Sequence, residues 1–262
     1  MIDSRQSSAL SRKSPRQAIL VDVGDLRSPG LPGGEQPTDP WAEELRRAVL
    51  LDLLGSLVAV NGVTISVLSA GSAHAEAIAT AIPPGIDVIV PPADGIDREG
   101  RFVWAVKNHL QRAFSRVVAI AADVPALQTR IVATALGSLA TSDVVVGPTT
   151  STGLYLLGVC DERGLSIATA AGAATGFDGL SLAAITGAAK TQGAIVRSVE
   201  RRCRLANDQR LDQLRDAVAA TPSAAPRTAA LLRTTTDASK SPTAFPAAAG
   251  IVDLDVARAA DR

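Results

Sequence analysis

Short, continuous apolar runs alternate along this chain with longer stretches in which apolar residues return every three or four positions. The first pattern predicts strands buried on both faces, and the second predicts amphipathic helices. Strands are predicted at Gln17–Val23, Val63–Leu68, Ile86–Val90, 117–122, Asp143–Val146, Gly153–Val159 and Ala194–Val199. The first helix is predicted to start at Asp39-Pro40. Asp39 suits the N-cap, Pro40 suits the first turn, and Glu43 and Glu44 favour the positive end of the helix dipole. Trp41, Leu45, Val49, Leu53 and Leu57 form its apolar stripe, and Asn61-Gly62 stops it. Further helices are predicted over about 72–82, 98–114, 127–140, 162–172, 178–192 and 207–220. The stretch 98–114 carries Phe102, Val106, Leu110 and Phe114 on one side. Strands alternating with helices imply an α/β fold, a Rossmann-like and mostly parallel sheet with helices on both faces.

Three segments fall outside this rhythm. Residues 1–16 are polar and read as a disordered N-terminus. Residues 24–38 hold three prolines and four glycines, so they read as a long loop between the first strand and the first helix; loops of that length in a compact domain are usually functional or disordered. From Thr221 the composition turns to Ala, Thr, Pro and Ser, and 221–262 reads as a disordered tail. One domain is therefore expected over 17–220.

Composition narrows the classes of function. The 26 basic and 26 acidic residues cancel, so no electrostatic grip on nucleic acid or on an anionic membrane is expected. Aromatic residues make up 3%, too few for a base-stacking platform. Cys160 and Cys203 make neither a disulfide framework nor a zinc cluster, and both read as small buried hydrophobes. No signal-peptide pattern and no transmembrane run are visible, so a soluble, cytoplasmic protein is expected.

The run Val-Val-Ala-Ile-Ala-Ala-Asp-Val-Pro-Ala-Leu at 117–127 carries the most chemical information. Its apolar strand ends in Asp123, at the carboxyl end where open α/β sheets place their ligands. A carboxylate there suits a hard cation that bridges phosphate oxygens. The structural alternative is a carboxylate that bonds backbone N–H groups ahead of a helix, before Pro125.

This segment, together with Asp143–Val159 (DVVVGPTTSTGLYLLGV) and more weakly 97–114 (DREGRFVWAVKNHLQRAF), resembles GT-A-like transferases with a nucleotide-diphospho-sugar transferase fold. The chain looks closest to radical-SAM/selenodomain-associated, or arsenosugar-biosynthesis, glycosyltransferases. It is more distantly similar to the guanylyltransferases that activate phospholactate. The resemblance covers roughly residues 17–218. It implies a GT-A-type sheet, a nucleotide or nucleotide-sugar ligand, Mg²⁺ or Mn²⁺ at Asp123, nucleotide contacts at Gly24, Asp25 and Arg27, and an acceptor pocket bordered by Gly153 and Tyr155.

The departures fall on the chemistry. Where the family carries a loop of the form Lys-x-Pro-x-Pro-Gly-x-x-Lys-Thr-Arg-Leu, this chain keeps Pro29-Gly30 but places Asp25 at the first lysine and Gly33-Gly34-Glu35 at Lys-Thr-Arg. Arg27 is the only cation left in that loop. The family's Asp-Gly-Gly-Tyr reads Ser151-Thr152-Gly153-Leu154, with Tyr155 retained, and its Asp-x-Asp-Thr-Pro-Glu-Asp-Leu falls on Arg204 to Leu211. A possible second metal ligand thereby becomes Ala206.

Each candidate has a plainer reading: an ordinary loop for Gly24, Asp25 and Arg27, and a strand glycine and half-buried tyrosine for Gly153 and Tyr155. His74 and His109 read as surface or packing residues. Two functions are carried forward. One is a transferase that binds a nucleotide or nucleotide-sugar, with metal-assisted displacement at a phosphate-linked centre. The other is a degenerate relative that serves as a binding or scaffold subunit. No catalytic residue is identified.

Overall fold

The computed structural model describes residues 16–23, 40–69, 71–92, 100–151, 153–205 and 211–237. Seven strands form one sheet: β1 Gln17–Asp22, β2 Val63–Leu68, β3 Asp87–Ile89, β4 Arg116–Ala121, β5 Val144–Pro148, β6 Leu154–Val159 and β7 Val196–Ser198. Their order is β3-β2-β1-β4-β6-β5-β7. The expected α/β architecture is present, and every pairing is parallel except those of β6, which runs antiparallel to both β4 and β5. The reason is local: a short turn with no helix joins β5 to β6, and a turn that short can only reverse the chain.

The helices are α1 Pro40–Val58, α2 Ser72–Ala81, α3 Gly100–Gln111, α4 Thr129–Ser138, α5 Glu162–Ala170, α6 Leu182–Thr191, α7 Leu211–Ala220 and α8 Pro226–Asp237. A 3-10 segment, Ala173–Gly179, precedes α6. The predicted stripe of α1 is buried at Leu45, Val49, Leu53 and Leu57. One group of helices joins α1 to α4 and α8, with α7 on α8; another joins α3 to α5 and the 3-10 segment, with α6 on α5. With helices packed in this way every residue of β5 and β6 is buried, which is why those strands read as continuous apolar runs rather than alternating ones. Close packing also fixes a glycine. A Cβ on Gly147 would lie 2.6 Å from the Tyr155 ring, so no larger residue fits there without moving β6.

The disorder expected over 221–262 needs correction for 221–237, while 238–262 lie outside the described residues. Residues 226–237 form α8, and Thr228 and Leu232 are buried. The helix start is held by Asp52 of α1, itself buried. Its carboxylate accepts from the backbone N–H of Arg227 at 3.2 Å and of Thr228 at 2.8 Å, and from the Thr228 hydroxyl at 2.8 Å. A carboxylate at a helix N-terminus satisfies donors that have no intrahelical partner. Leu45, Val49, Ala126, Leu214, Val218, Ala225 and Leu232 then close into a second apolar cluster beside the main core. The composition of 221–237 hid this because Leu45, Val49 and Ala126 of the cluster, and the cap, lie far away in sequence. The expected N-terminal disorder at 1–15 and the loop at 24–38 lie outside the described residues.

His109 is fully buried, which settles it as a packing residue. Its Nδ1 lies 2.8 Å from the Ala105 carbonyl and therefore donates to it, leaving Nε2 to accept from the Ser66 hydroxyl at 3.1 Å. Burial pushes its pKa below the usual value; the Ala105 bond and Asp87 oppose this, and Arg112 adds to it.

Two outcomes are expected. Asp52→Ala strands three donors at the start of α8 and should lower stability by about 2 kcal/mol. Urea denaturation measures this, and a loss under about 0.5 kcal/mol would mean that α8 does not depend on its cap. For His109 the lowered folded pKa means that the unfolded chain takes up the proton first. Its contribution to stability is complete above about pH 6.5 and is lost as pH falls below it, at up to about 1.4 kcal/mol per pH unit. His109→Gln should flatten the decline in melting temperature between about pH 7 and 5; an unchanged slope would place the acid sensitivity elsewhere.

Candidate functional site at the carboxyl edge of the sheet

All the parallel strands end on one edge, and antiparallel β6 begins there. Strand order reverses between β1 and β4: one connection from β1 leads outward to β2 and β3, and the next strand, β4, lies on the other side. Such a switch point opens a crevice at the carboxyl ends. Asp22 closes β1 on one side of it. On the other, the Ala122 N–H donates to the Asp22 carbonyl at 3.1 Å, and the chain then turns through Asp123 and Val124. Ala126 in this turn has φ +53°, a left-handed conformation that alanine rarely adopts, and it is buried in the second cluster. The apolar cluster holds the turn in that strained shape.

Asp123 is 7% exposed. Its Oδ1 accepts from Arg204 Nε at 2.8 Å, and both side chains are more than nine-tenths buried. Arg204 also donates from Nη1 to the Leu154 carbonyl at 3.4 Å, and its guanidinium carbon lies 5.9 Å from the centre of the Phe177 ring. Asp123 does not cap α4, which begins at Thr129 with Gln128 in the N-cap position.

Arg204 reaches this place on a strap, Glu200–Leu205, that crosses the rim after β7. The strap is tied at each step. Arg202 N–H donates to the Pro148 carbonyl at 3.2 Å, Thr150 N–H to the Arg202 carbonyl at 3.0 Å, and Leu205 N–H to the Asp123 carbonyl at 3.0 Å. Arg201 Nη1 donates to the Thr149 carbonyl at 3.1 Å. Glu200 accepts from Arg202 at 2.8 Å and from Arg130 of α4 at 3.0 Å. Arg202 Nε is the one buried side-chain nitrogen or oxygen among the described residues with no hydrogen-bond partner.

Of the two residues expected to border an acceptor pocket, Tyr155 is turned inward and Gly153 lies at the rim. Tyr155 is fully buried, and its hydroxyl donates to the Glu200 carbonyl at 2.7 Å. Burial raises its pKa, with Arg202 lowering and Glu200 raising it further. The ring thus pins the strap to β6. Gly153 stands on the rim with φ +101°, and its carbonyl accepts from Thr149 N–H at 3.0 Å. The β5–β6 turn requires a glycine there, so its role is the turn. Gly24, Asp25 and Arg27 lie outside the described residues. Sequence reading missed Asp22, Glu200, Arg201, Arg202 and Arg204 as rim residues. The visible signals were a second strand ending in an acid and an Arg-Arg-Cys-Arg run.

A divalent ion at Asp123 does not fit this arrangement. Its carboxylate is committed to a guanidinium, and among the described residues no group of three His, Cys, Asp or Glu side chains could hold a metal. A dication about 5 Å from Arg204 would be repelled by roughly 6–7 kcal/mol at an effective dielectric of about 20. The Mg²⁺ or Mn²⁺ role expected of Asp123 is therefore not supported by the geometry. The pair should instead be visible as stability. Asp123→Asn leaves a buried guanidinium without its counter-charge and should cost about 3 kcal/mol. The double change Asp123→Asn with Arg204→Gln should recover much of that loss in urea midpoints. An Asp123→Asn protein as stable as the parent would show that the pair does not form.

Residues 53–169 match the model of a family described as an uncharacterized protein conserved in bacteria, DUF2064. No curated protein matches the sequence. Among solved structures, a Desulfovibrio desulfuricans G20 protein with a provisional assignment as a nucleotide-diphospho-sugar transferase is 19% identical, covering 84% of this chain and 95% of that one, with a TM-score of 0.63. The 4-diphosphocytidyl-2C-methyl-D-erythritol synthase of Anaerococcus prevotii DSM 20548 is 10% identical, covering 79% and 96%, with a TM-score of 0.51. The manganese complex of Rv0371C from Mycobacterium tuberculosis H37Rv is 13% identical, covering 79% and 100%, with a TM-score of 0.48. At these identities the first two likenesses establish one thing: the chain has a fold resembling that of nucleotide-diphospho-sugar transferases.

Proposed function

We propose that this chain binds a nucleotide or nucleotide-diphospho-sugar in the crevice at the carboxyl edge between β1 and β4, as a transferase-type protein of the glycosyl- or nucleotidyl-transferring kind. The observation that carries this reading is the switch point itself: Asp22, the Asp123 turn and the arginine strap converge on the one part of an open α/β sheet where ligands are held. Arginine forks match phosphate oxygens in geometry and charge. The loop that leaves β1, with Gly24, Asp25 and Arg27, enters the same edge in sequence and is proposed to contact the nucleotide. The acceptor is proposed to approach from the Thr149–Gly153 turn. Membership of the radical-SAM-associated subfamily and a cytoplasmic location also stand as proposals; among the described residues, no helix is long and apolar enough to cross a membrane.

A second reading is favoured by one specific observation, the closure of Asp123 by Arg204. A chain that has lost its metal-binding carboxylate to an ion pair, and the acid of its second motif to Ser151, would bind nucleotide without turnover and serve as a binding or scaffold subunit.

Thermal melts with CTP, GTP, UDP-glucose and GDP-mannose test the shared part. A ligand at 100 times its Kd stabilises by about 2.7 kcal/mol. That corresponds to a rise of roughly 5–10 °C for a domain of this size. No shift with any of these at millimolar concentration would reject nucleotide binding. Release of diphosphate or pyrophosphate during incubation separates the two readings, since the scaffold reading requires none.

A further inference from the structure

Among the described residues, the arginine strap holds the most charge at the rim. Three guanidiniums, Arg130, Arg202 and Arg204, meet two carboxylates, Glu200 and Asp123, at 2.8–3.0 Å, and a fourth, Arg201, donates to the Thr149 carbonyl at 3.1 Å. Even with Asp22 counted, the rim keeps an excess of positive charge. In the same chain, the loop after β1 has Asp25 and Gly33-Gly34-Glu35 where the resembling family has cations. Arg204 itself stands at the first acid of the motif that falls on 204–211. One position has thus turned from carboxylate to guanidinium, and it is aimed at the other carboxylate, Asp123.

Resting on the nucleotide-binding reading, we infer that Arg201, Arg202 and Arg204 take the place of a divalent cation, so that the nucleotide's phosphates are held at this edge without metal. Asp123 is then a positioning residue. It fixes the guanidinium plane of Arg204 through Nε, and the Nη end exchanges weakly held partners, such as the Leu154 carbonyl at 3.4 Å, for phosphate oxygen. Arg202 contributes an Nε–H that lacks an acceptor among the described residues, next to an Nη2 already turned toward Glu200. When phosphate displaces Glu200 from Nη2, the side of the guanidinium presents these two N–H groups to one oxyanion. Arg201 is exposed on the strap and supplies the outermost charge. Guanidinium stays protonated at all working pH values, so this grip needs neither metal nor a particular protonation state.

Calorimetric titration of the full chain with CTP and with UDP-glucose, in EDTA and again in millimolar Mn²⁺, tests this. The expected result is binding in EDTA with a Kd within about twofold of that in Mn²⁺. Arg201→Gln with Arg202→Gln should weaken it about tenfold, which corresponds to 1.4 kcal/mol, and should flatten its dependence on salt. Asp123→Asn with Arg204→Gln keeps a neutral hydrogen-bonding pair and should weaken binding by a similar factor, with melting curves confirming the fold. Should that pair fail to fold, Arg201→Gln alone, at an exposed site, still has to weaken binding. Nucleotide binding that requires Mn²⁺ would overturn this inference while leaving the nucleotide reading intact. Metal-free binding unchanged in the folded arginine variants would overturn it as well. No binding under either condition would reject both.

Discussion

Two opposite charges taken out of water at the end of β4 set the terms for everything around them. A buried carboxylate and a buried guanidinium each lose several kcal/mol of hydration, and only close, well-aligned contact offsets that loss. Asp123 and Arg204 meet this condition at 2.8 Å. The contact is possible because two distant pieces of chain are each held in place by further bonds. The Asp123 turn is fixed by its bond to Asp22 and by Ala126 in the second cluster. The strap is fixed by Pro148, Thr149, Tyr155 and Asp123. Tyr155 belongs to this machinery rather than to a substrate pocket.

The second apolar cluster connects the rim to the C-terminal helices. Leu205, one residue beyond Arg204, and Ala126, three beyond Asp123, both pack with Leu45, Val49, Leu214 and Leu232. Asp52 ties α8 to α1 in the same layer. A helix outside the expected domain boundary, α8, therefore stands behind both halves of the ion pair together with α7. This explains why a composition poor in large apolar residues still orders through residue 237: a few leucines suffice when their partners and their helix cap are supplied from elsewhere.

Local pattern carried the fold a long way. The strands and most helices were legible because burial on one or two faces writes a period into the sequence, and the stripe on α1 from Leu45 to Leu57 is buried as the spacing requires. The position of Asp123 at a strand's carboxyl end was legible for the same reason. The site was read far less well. Resemblance implies a ligand-facing role for Tyr155, whereas its ring is fully buried and serves the scaffold. The arginine run at 201–204 had no meaning until the strap was placed across the rim.

By itself the sequence determined an α/β sheet, its approximate elements, and one acid at a place where ligands gather. These are properties of neighbours along the chain, and periodicity records them. Only the tertiary structure decided that β6 runs antiparallel between β4 and β5, that α8 docks on α1, and that the partner of Asp123 is a cation 81 residues away. Each of these depends on which groups end up sharing a low-dielectric space. An electrostatic partner acts through distance in space, and no spacing in the sequence encodes it.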